Sequence, residues 1–361
     1  STNTASWTSA SVTTIGDNTS DNSLTFTNGA IGYAINSIQL GGSSSSARNE
    51  LAVGGTGTVF TADANVIVGA FGGQNVLNVS DGGLAEIGNT LYLGYEPSAT
   101  GNEVNINSNG TLNVAGDIIV GRRGSENAFT IAGGQVAVSN DFILGSESIN
   151  NRYNQTDGTN TVAGAFVIGK TEGATGKTGN VNDDLVETTG NLAIIGTNAT
   201  LNIQQDLTVG LEGGGSIMTI RDGGIVTVEG DTVIGEAVGD NYIYLQRDSN
   251  TQFNVTGDLV VGKSEEGSNR FAVYGGTANI GGNFYLGATT NQHEIKNFVY
   301  LETTNAVLNV ANALYIGASN SINTLDIVDG ATVRAQDLYV GAYEGVSNNV
   351  VTVKGEDALL S

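Results

Sequence analysis

The stretch Asp258-Leu259-Val260-Val261-Gly262 decides the fold, because close copies of it occur along the whole sequence. Asp117-Ile118-Ile119-Val120-Gly121 and Asp337-Leu338-Tyr339-Val340-Gly341 are two of them. From Gly41 to Gly341 the closing glycines are 24 to 30 residues apart, except for one interval of 41. Internal repetition with a period of about 20–50 residues is typical of a solenoid, in which each repeat packs on its neighbours.

Each interval contains three short runs of alternating apolar and polar residues. One set is Val104-Asn105-Ile106, Leu112-Asn113-Val114 and Ile118-Ile119-Val120. Alternation with period 2, β-branched residues, and Gly or Asn between the runs all indicate strands. We name these the A, B and C strands in chain order. The sequence therefore predicts an all-β parallel β-helix (β-solenoid) with three short strands per coil and about twelve coils, right-handed by analogy with coils of this length.

The repeat predicts one β-solenoid domain over residues 1–361, with 1–21 as a partial first coil and 349–361 as an incomplete last coil. The polar stretch 170–184 accounts for the long interval and is interpreted as an inserted loop. The C-terminal residues fit A and B strands, whereas Ser11–Gly16 fits a C strand. Head-to-tail stacking would complete a coil at such a junction, with Ile15, Leu359 and Leu360 in the contact, and it would propagate into a filament. The alternative is that the sequence is a piece of a longer protein.

Composition excludes several classes of partner. The formal net charge is -23 and only 14% of residues are charged, which argues against binding nucleic acid or an anionic membrane surface. The sequence has no Cys and no apolar run long enough to span a bilayer. We expect no nucleic-acid partner, no membrane insertion and no cofactor, with calcium as the one candidate ion. The expected partner is a second copy of the chain itself.

The repeat also resembles a known family. Thr256-Gly257-Asp258-Leu259-Val260-Val261-Gly262 is similar to the Gly-Asp-Leu-x-Val-Gly units of β-solenoid proteins of the bacterial cell surface, such as autotransporter passengers. The resemblance covers nearly the whole chain and implies a secreted, extracellular or cell-surface protein. Such repeats serve adhesins, stalks and scaffolds alike, so the resemblance does not choose among them.

The outward positions of the C strands differ from those of the A and B strands. The A and B strands place mainly Asn and Thr there, as a solvated face does. The C strands place apolar or aromatic residues there, apart from Gln39 and Thr208. These residues are Ile67, Tyr92, Ile119, Ile143, Val167, Val233, Val260, Tyr285, Tyr315 and Tyr339. An apolar stripe of this length predicts an assembly interface; cover by the chain's own loops and plain β propensity are the alternatives.

Two polar residues recur at fixed places in the coil. Asp precedes the C strand at Asp117, Asp141, Asp206, Asp231 and Asp258, as well as at Asp337, with interruptions at Asn283 and Ala313. A carboxylate column could bind calcium or could cap turns. Asn precedes the A strand at Asn75, Asn102, Asn127, Asn269, Asn323 and Asn349. These amides could form a hydrogen-bonded ladder, or could reflect turn preference.

The sequence offers little for catalysis. His293 is the sole histidine, and Asn182-Asp183-Asp184 lies in the inserted stretch without basic partners nearby. We therefore expect no catalytic residue and no enzyme. The leading hypothesis is an extracellular structural protein that self-assembles head to tail, and laterally through the C strands. The alternatives are an adhesin or binding passenger and, less supported, a carbohydrate-active β-helix enzyme.

Overall fold

The computed structural model describes residues 5–172, 178–182, 185–188, 190–246, 248–263, 267–288, 296–319 and 322–361, with the backbone alone at 178–188. These residues form strands and turns, and none of them lies in an α-helix. The chain divides into two compact units, Ser1–Gly164 and Ala165–Ser361. Each unit is a parallel β-solenoid.

In the first unit every coil follows the order A, B, C, and in β15 and β17 the A and B strands run together. The strands are β1 (Ser6–Ser9), β2 (Thr13–Ile15), β3 (Ser23–Thr27), β4 (Ile31–Ala34), β5 (Ile38–Leu40), β6 (Glu50–Gly54), β7 (Val59–Ala62), β8 (Val66–Val68), β9 (Val76–Ser80), β10 (Leu84–Ile87), β11 (Leu91–Leu93), β12 (Glu103–Asn107), β13 (Thr111–Val114), β14 (Ile118–Val120), β15 (Ala128–Val138), β16 (Phe142–Leu144) and β17 (Arg152–Val162).

The second unit repeats the order, and in β34 and β36 the B and C strands run together. Its strands are β18 (Phe166–Ile168), β19 (Thr178–Asn182), β20 (Leu185–Thr188), β21 (Leu192–Ile195), β22 (Ala199–Ile203), β23 (Leu207–Val209), β24 (Ile217–Arg221), β25 (Ile225–Val228), β26 (Thr232–Ile234), β27 (Tyr242–Gln246), β28 (Gln252–Val255), β29 (Leu259–Val261), β30 (Arg270–Val273), β31 (Gly276–Ile280), β32 (Phe284–Leu286), β33 (Phe298–Glu302), β34 (Ala306–Ile316), β35 (Thr324–Val328), β36 (Thr332–Val340), β37 (Val350–Lys354) and β38 (Leu359–Leu360).

Apart from β19 and β20, the strands pair in parallel with the corresponding strand of the next coil. Tyr92 of β11, for example, lies opposite Ile67 of β8 on one side and Ile119 of β14 on the other. Register is kept because a shift of one residue would move every core side chain to the outer face. The expected architecture of three short strands per coil is confirmed.

The core lies inside the coils. In most C strands the first and third residues point inward and are buried, and the second points outward. Aromatic rings pack inside several coils: in the first unit Phe129 meets Phe142 edge-on at 5.3 Å between centroids, and in the second Phe271 lies 6.0 Å from Phe284 between centroids. Full burial of a side chain of this kind contributes about 1.5–3 kcal/mol.

Two elements differ from the sequence-based expectation. The described fold begins with β1, which pairs with the B strand β4, so a B strand precedes the C strand β2. The inserted stretch is not a simple loop: β19 and β20 form an antiparallel pair that continues to Thr188, four residues beyond the expected end.

Candidate functional surfaces

A buried asparagine ladder precedes the A strands in each unit. In the first unit the side-chain amide of Asn75 donates to Oδ1 of Asn102 at 3.0 Å, and the backbone N–H of Asn75 donates to the same oxygen at 2.9 Å. Asn102 donates in turn to Asn127 at 3.0 Å. In the second unit the same contact joins Asn297 to Asn323 at 3.1 Å. The ladder interpretation is confirmed, with Ser216 in place of Asn in one coil.

The closing glycine of the repeat and the ladder asparagine depend on each other. Gly69 has a φ of +79°, and a Cβ on it would overlap the amide of Asn102. Gly121 stands in the same relation to Asn151, and Gly262 to Asn297. Both the backbone conformation and the space therefore require glycine at this position.

The aspartates before the C strands form a second polar ladder. Oδ1 of Asp206 accepts the backbone N–H of Asp231 at 2.8 Å, and Oδ1 of Asp231 accepts that of Asp258 at 2.8 Å. Asn283 continues the row, because its N–H donates to Asp258 at 2.7 Å. A Cβ on Gly257 would overlap Asp231, which explains the Gly-Asp pair of the repeat. The carboxylates thus bind the next coil rather than their own turn.

The predicted calcium candidates are not gathered into a site. Asp117 and Asp141 show the same one-to-one contact, with the N–H of Asp141 3.2 Å from Oδ1 of Asp117. Among the described residues, no group of three or more His, Cys, Asp or Glu side chains could hold a metal ion. Calcium binding by these aspartates therefore stays a prediction.

In the first unit the C strands present three of the expected residues to solvent. Ile67, Tyr92 and Ile119 are half-buried, like the polar residues on the other faces. Ile143 is not: it is 2% exposed, so its expected place in an assembly contact is wrong. It is buried by atoms of the chain itself.

In the second unit the C strands carry an aromatic column. Tyr285, Tyr315 and Tyr339 are register partners whose rings stack with centroids 4.9 Å apart and planes 10° apart. Tyr339 is 44% exposed. Val233 and Val260 are half-buried. We call the outward side of these C strands the C face.

Of the four other expected contact residues, two are buried in the chain and two are not. Val167 is 8% exposed and covered by the chain itself, so its assignment to an interface is wrong. Ile15 is 6% exposed, because as the third residue of a C strand it points into the core; its assignment is also wrong. Leu359 is exposed and Leu360 is half-buried.

The A face of the second unit is not the solvated surface that the sequence indicated. Thr219 and Ala272 point outward from the coil and are nevertheless buried. Leu192, Ile217 and Tyr244, at outward positions of the A strands β21, β24 and β27, are buried as well. The signal was present in the sequence, since these outward residues are apolar or aromatic, but it is confined to a few coils.

Aromatic rings and one arginine gather on this A face. The guanidinium of Arg270 lies 6.0 Å from the ring centroid of Tyr244 and 5.4 Å from that of Tyr300. It also donates to Oη of Tyr274 at 2.8 Å. Burial first, and then the nearby carboxylate of Glu302, raise the pKa of Tyr300 to about 12. We call these residues, with Tyr242 and Thr219, the A-face cluster.

The groups considered for catalysis give no assembled site. His293, Asp183 and Asp184 lie outside the described residues. The B face of the first unit has a shallow groove of about 340 Å³ lined partly by Asp63 and Glu86. Tyr33 donates a hydrogen bond to Asp63, and Thr61 donates one to Glu86 at 3.3 Å, so both carboxylates already have partners.

No protein-family model matches the chain, and no curated protein does. Among solved structures, the chain is similar to the crystal structure of a TibC-catalyzed hyper-glycosylated TibA fragment. That match has 14% identity and a TM-score of 0.38, and it covers 98% of this chain and 100% of the other. A likeness at this level says nothing about what the chain binds or builds.

Within the described part of the chain, no helix is long and apolar enough to cross a membrane.

Proposed function

We propose that the protein is an extracellular structural protein of the cell surface that associates with copies of itself through the C face. The observation that carries this proposal is the column of Tyr285, Tyr315 and Tyr339, stacked at 4.9 Å on the outside of the solenoid. The absence of cysteine and the large excess of acidic residues suit a protein exposed outside the cell.

The chemistry of the C face favours a protein partner. Stacked tyrosines present wide apolar ring edges and polar hydroxyls together, the combination found in interface cores. The B face of the same coils differs, since there Asn279 donates to Asn254 at 2.8 Å and Asn309 donates to Asn279 at 2.9 Å. Those amides satisfy one another and gain little from a partner.

A second copy is the simplest partner for such a column. The same patch on two molecules can meet about a two-fold axis, and regular spacing keeps successive contacts in register. The formal charge of -23 opposes this meeting at low salt. Self-association through the C face should therefore strengthen as salt screens the charge.

The head-to-tail mode rests on the two ends of the sequence and stays a prediction.

The test is sedimentation velocity and negative-stain electron microscopy at increasing salt. We expect concentration-dependent oligomers or fibres from the wild type and loss of them on combining Tyr285→Asp, Tyr315→Asp and Tyr339→Asp. The matched control adds the same three charges to the B face, as Asn254→Asp, Asn279→Asp and Asn309→Asp, and should still associate. A monodisperse monomer at high protein concentration, with or without calcium, contradicts the proposal.

A further inference from the structure

We propose that the C face of the second unit binds, on a second copy of the chain, a patch around Arg122 in the first unit. This contact rests on the self-association proposed above and names the surface that the C face meets. We call Tyr92, Tyr95 and Arg122 the Arg122 patch. Complementary charge, with aromatic rings on both surfaces, identifies the second copy as the partner.

In the Arg122 patch a cation lies on aromatic rings at the protein surface. The guanidinium of Arg122 lies 4.2 Å from the ring centroid of Tyr95. That ring meets the ring of Tyr92 edge-on, with centroids 5.0 Å apart. Tyr92 lies between its register partners Ile67 and Ile119. All of these residues are half-buried rather than enclosed, so another molecule can reach them.

The charge of Arg122 is not matched within the described part of the chain. No described carboxylate lies within ion-pair distance of Arg122, although the chain has 36 acidic and 13 basic residues. The neighbouring Arg123 differs, since it lies 2.9 Å from Glu96 and 3.7 Å from Glu147. A guanidinium that stacks on a ring can still donate to a carboxylate through the N–H groups at its edge. Arg122 therefore gains an ion pair from an acidic partner.

The C face carries a matching acid beside its stacked rings. Asp337 and Tyr339 lie two residues apart in β36, so their side chains share the outward side, and both are exposed. Desolvation first, and then nearby groups that include Asp337, raise the pKa of Tyr315, so this carboxylate stands close to the tyrosine column. Asp337 forms no ion pair with any described residue. The C face thus offers a carboxylate next to rings, and the Arg122 patch offers a guanidinium next to rings.

Opposite charge at this contact answers the difficulty of joining two acidic chains. Two C faces brought together would place aspartates near aspartates, whereas the Arg122 patch places a cation opposite Asp337. Salt screens the repulsion between whole molecules beyond about 10 Å at 0.1 M, but it screens a close, partly buried ion pair much less. Added salt therefore weakens the repulsion between the copies and leaves this contact in place.

Sedimentation velocity at moderate salt tests the contact by charge reversal. Arg122→Glu alone and Asp337→Arg alone should each weaken self-association about tenfold or more, because each places like charges opposite one another. An equimolar mixture of the two variants should associate again, since a contact between one variant and the other joins opposite charges. Arg334→Glu makes the same change in net charge on the B face and should associate like the wild type.

The outcomes separate this contact from self-association in general. If the wild type associates and Arg122→Glu associates equally well, the C face meets another surface, and the proposed function stands without this contact. A mixture that does not regain association, or an equal loss in Arg334→Glu, also overturns the contact. A wild type that stays monomeric at high concentration overturns both. If Arg122→Glu does not fold, as judged by circular dichroism, Arg122→Gln decides and should weaken association several-fold.

Discussion

The side-chain amide of Asn102 occupies the space into which a Cβ on Gly69 would point. The two residues lie on neighbouring coils, and the same pairing of glycine and asparagine recurs in both units. The most regular glycine of the repeat is therefore fixed by two causes, a left-handed backbone and an amide packed against it.

Comparing Gly69→Ala with Gly29→Ala should separate the effect of the left-handed backbone from the effect of the packed amide. Gly29 has a φ of +78°, but no atom lies within 4 Å of the place that a Cβ would take, so Gly29→Ala reports backbone strain of about 1–2 kcal/mol. Gly69→Ala adds overlap with Asn102 and should cost about 1–3 kcal/mol more. Urea unfolding measures both. Equal losses would show that the contact with Asn102 does not matter.

Removing the side-chain amide of an asparagine should lower the free energy of unfolding more inside the coil than on its outer face. Asn102→Ala leaves the backbone N–H of Asn75 without its acceptor and leaves the side-chain amide of Asn75 with the carbonyls of Gly72 and Gly73 alone. A buried N–H left unpaired costs about 1–3 kcal/mol, and the lost contact of the amide adds to this, so we expect a loss of about 2–3 kcal/mol.

Asn105→Ala is the matched comparison for that change. Asn105 is only three residues away and half-buried on the outer face, where it donates to Asn78 at 3.1 Å. Water can replace this contact, so the loss should be within about 1 kcal/mol. Similar losses for the two variants in thermal unfolding would argue against a structural role for the buried ladder.

The aspartate row gives a test that separates a hydrogen-bonding role from a metal-binding one. Asp231→Asn keeps an oxygen that can accept the N–H of Asp258, so the unfolding midpoint should change little, whereas Asp231→Ala should lose about 0.5–1.5 kcal/mol. Added calcium should not alter this order. A calcium-dependent stabilisation that Asp231→Asn abolishes would instead establish a cation site.

The stability of the second unit should fall at alkaline pH through Tyr300. Burial and Glu302 raise the pKa of this phenol to about 12 in the folded chain, against about 10 in the unfolded chain. A raised folded pKa means that its contribution is fully present below pH 10 and is lost as the pH rises toward 12.

The measurement is the thermal unfolding midpoint of the wild type and of Tyr300→Phe across this range. Above pH 10 the midpoint of the wild type should fall relative to that of Tyr300→Phe. Parallel curves for the two proteins would contradict the assignment.

The repeat made most of the fold predictable from the sequence. The glycine after each C strand located the coils, because only glycine fits that turn, and the asparagines before the A strands indicated the ladder. Their dependence on each other was not predictable, since Gly69 and Asn102 are separated by a whole coil. Spacing alone does not show which coil a side chain contacts.

The surfaces were less predictable than the strands. Alternation tells which side of a strand a residue occupies, but it does not tell whether other parts of the chain cover that side. Alternation therefore predicts an open face for Ile143 and Val167 and a solvated one for Thr219, although all three are buried. Ile15 lies near the start of the sequence, but as the third residue of its strand it points into the core.

The two polar ladders of the coil run in opposite directions. The N–H of Asn49 is accepted by Asn75, and that of Asn75 by Asn102, so each asparagine acceptor belongs to the later coil. In the aspartate row the N–H of Asp141 is accepted by Asp117, so there the acceptor belongs to the earlier coil. Either edge of a partly folded stack therefore leaves a donor unmet on one ladder and an oxygen unmet on the other, and the two ladders together favour neither direction of coil addition within this unit.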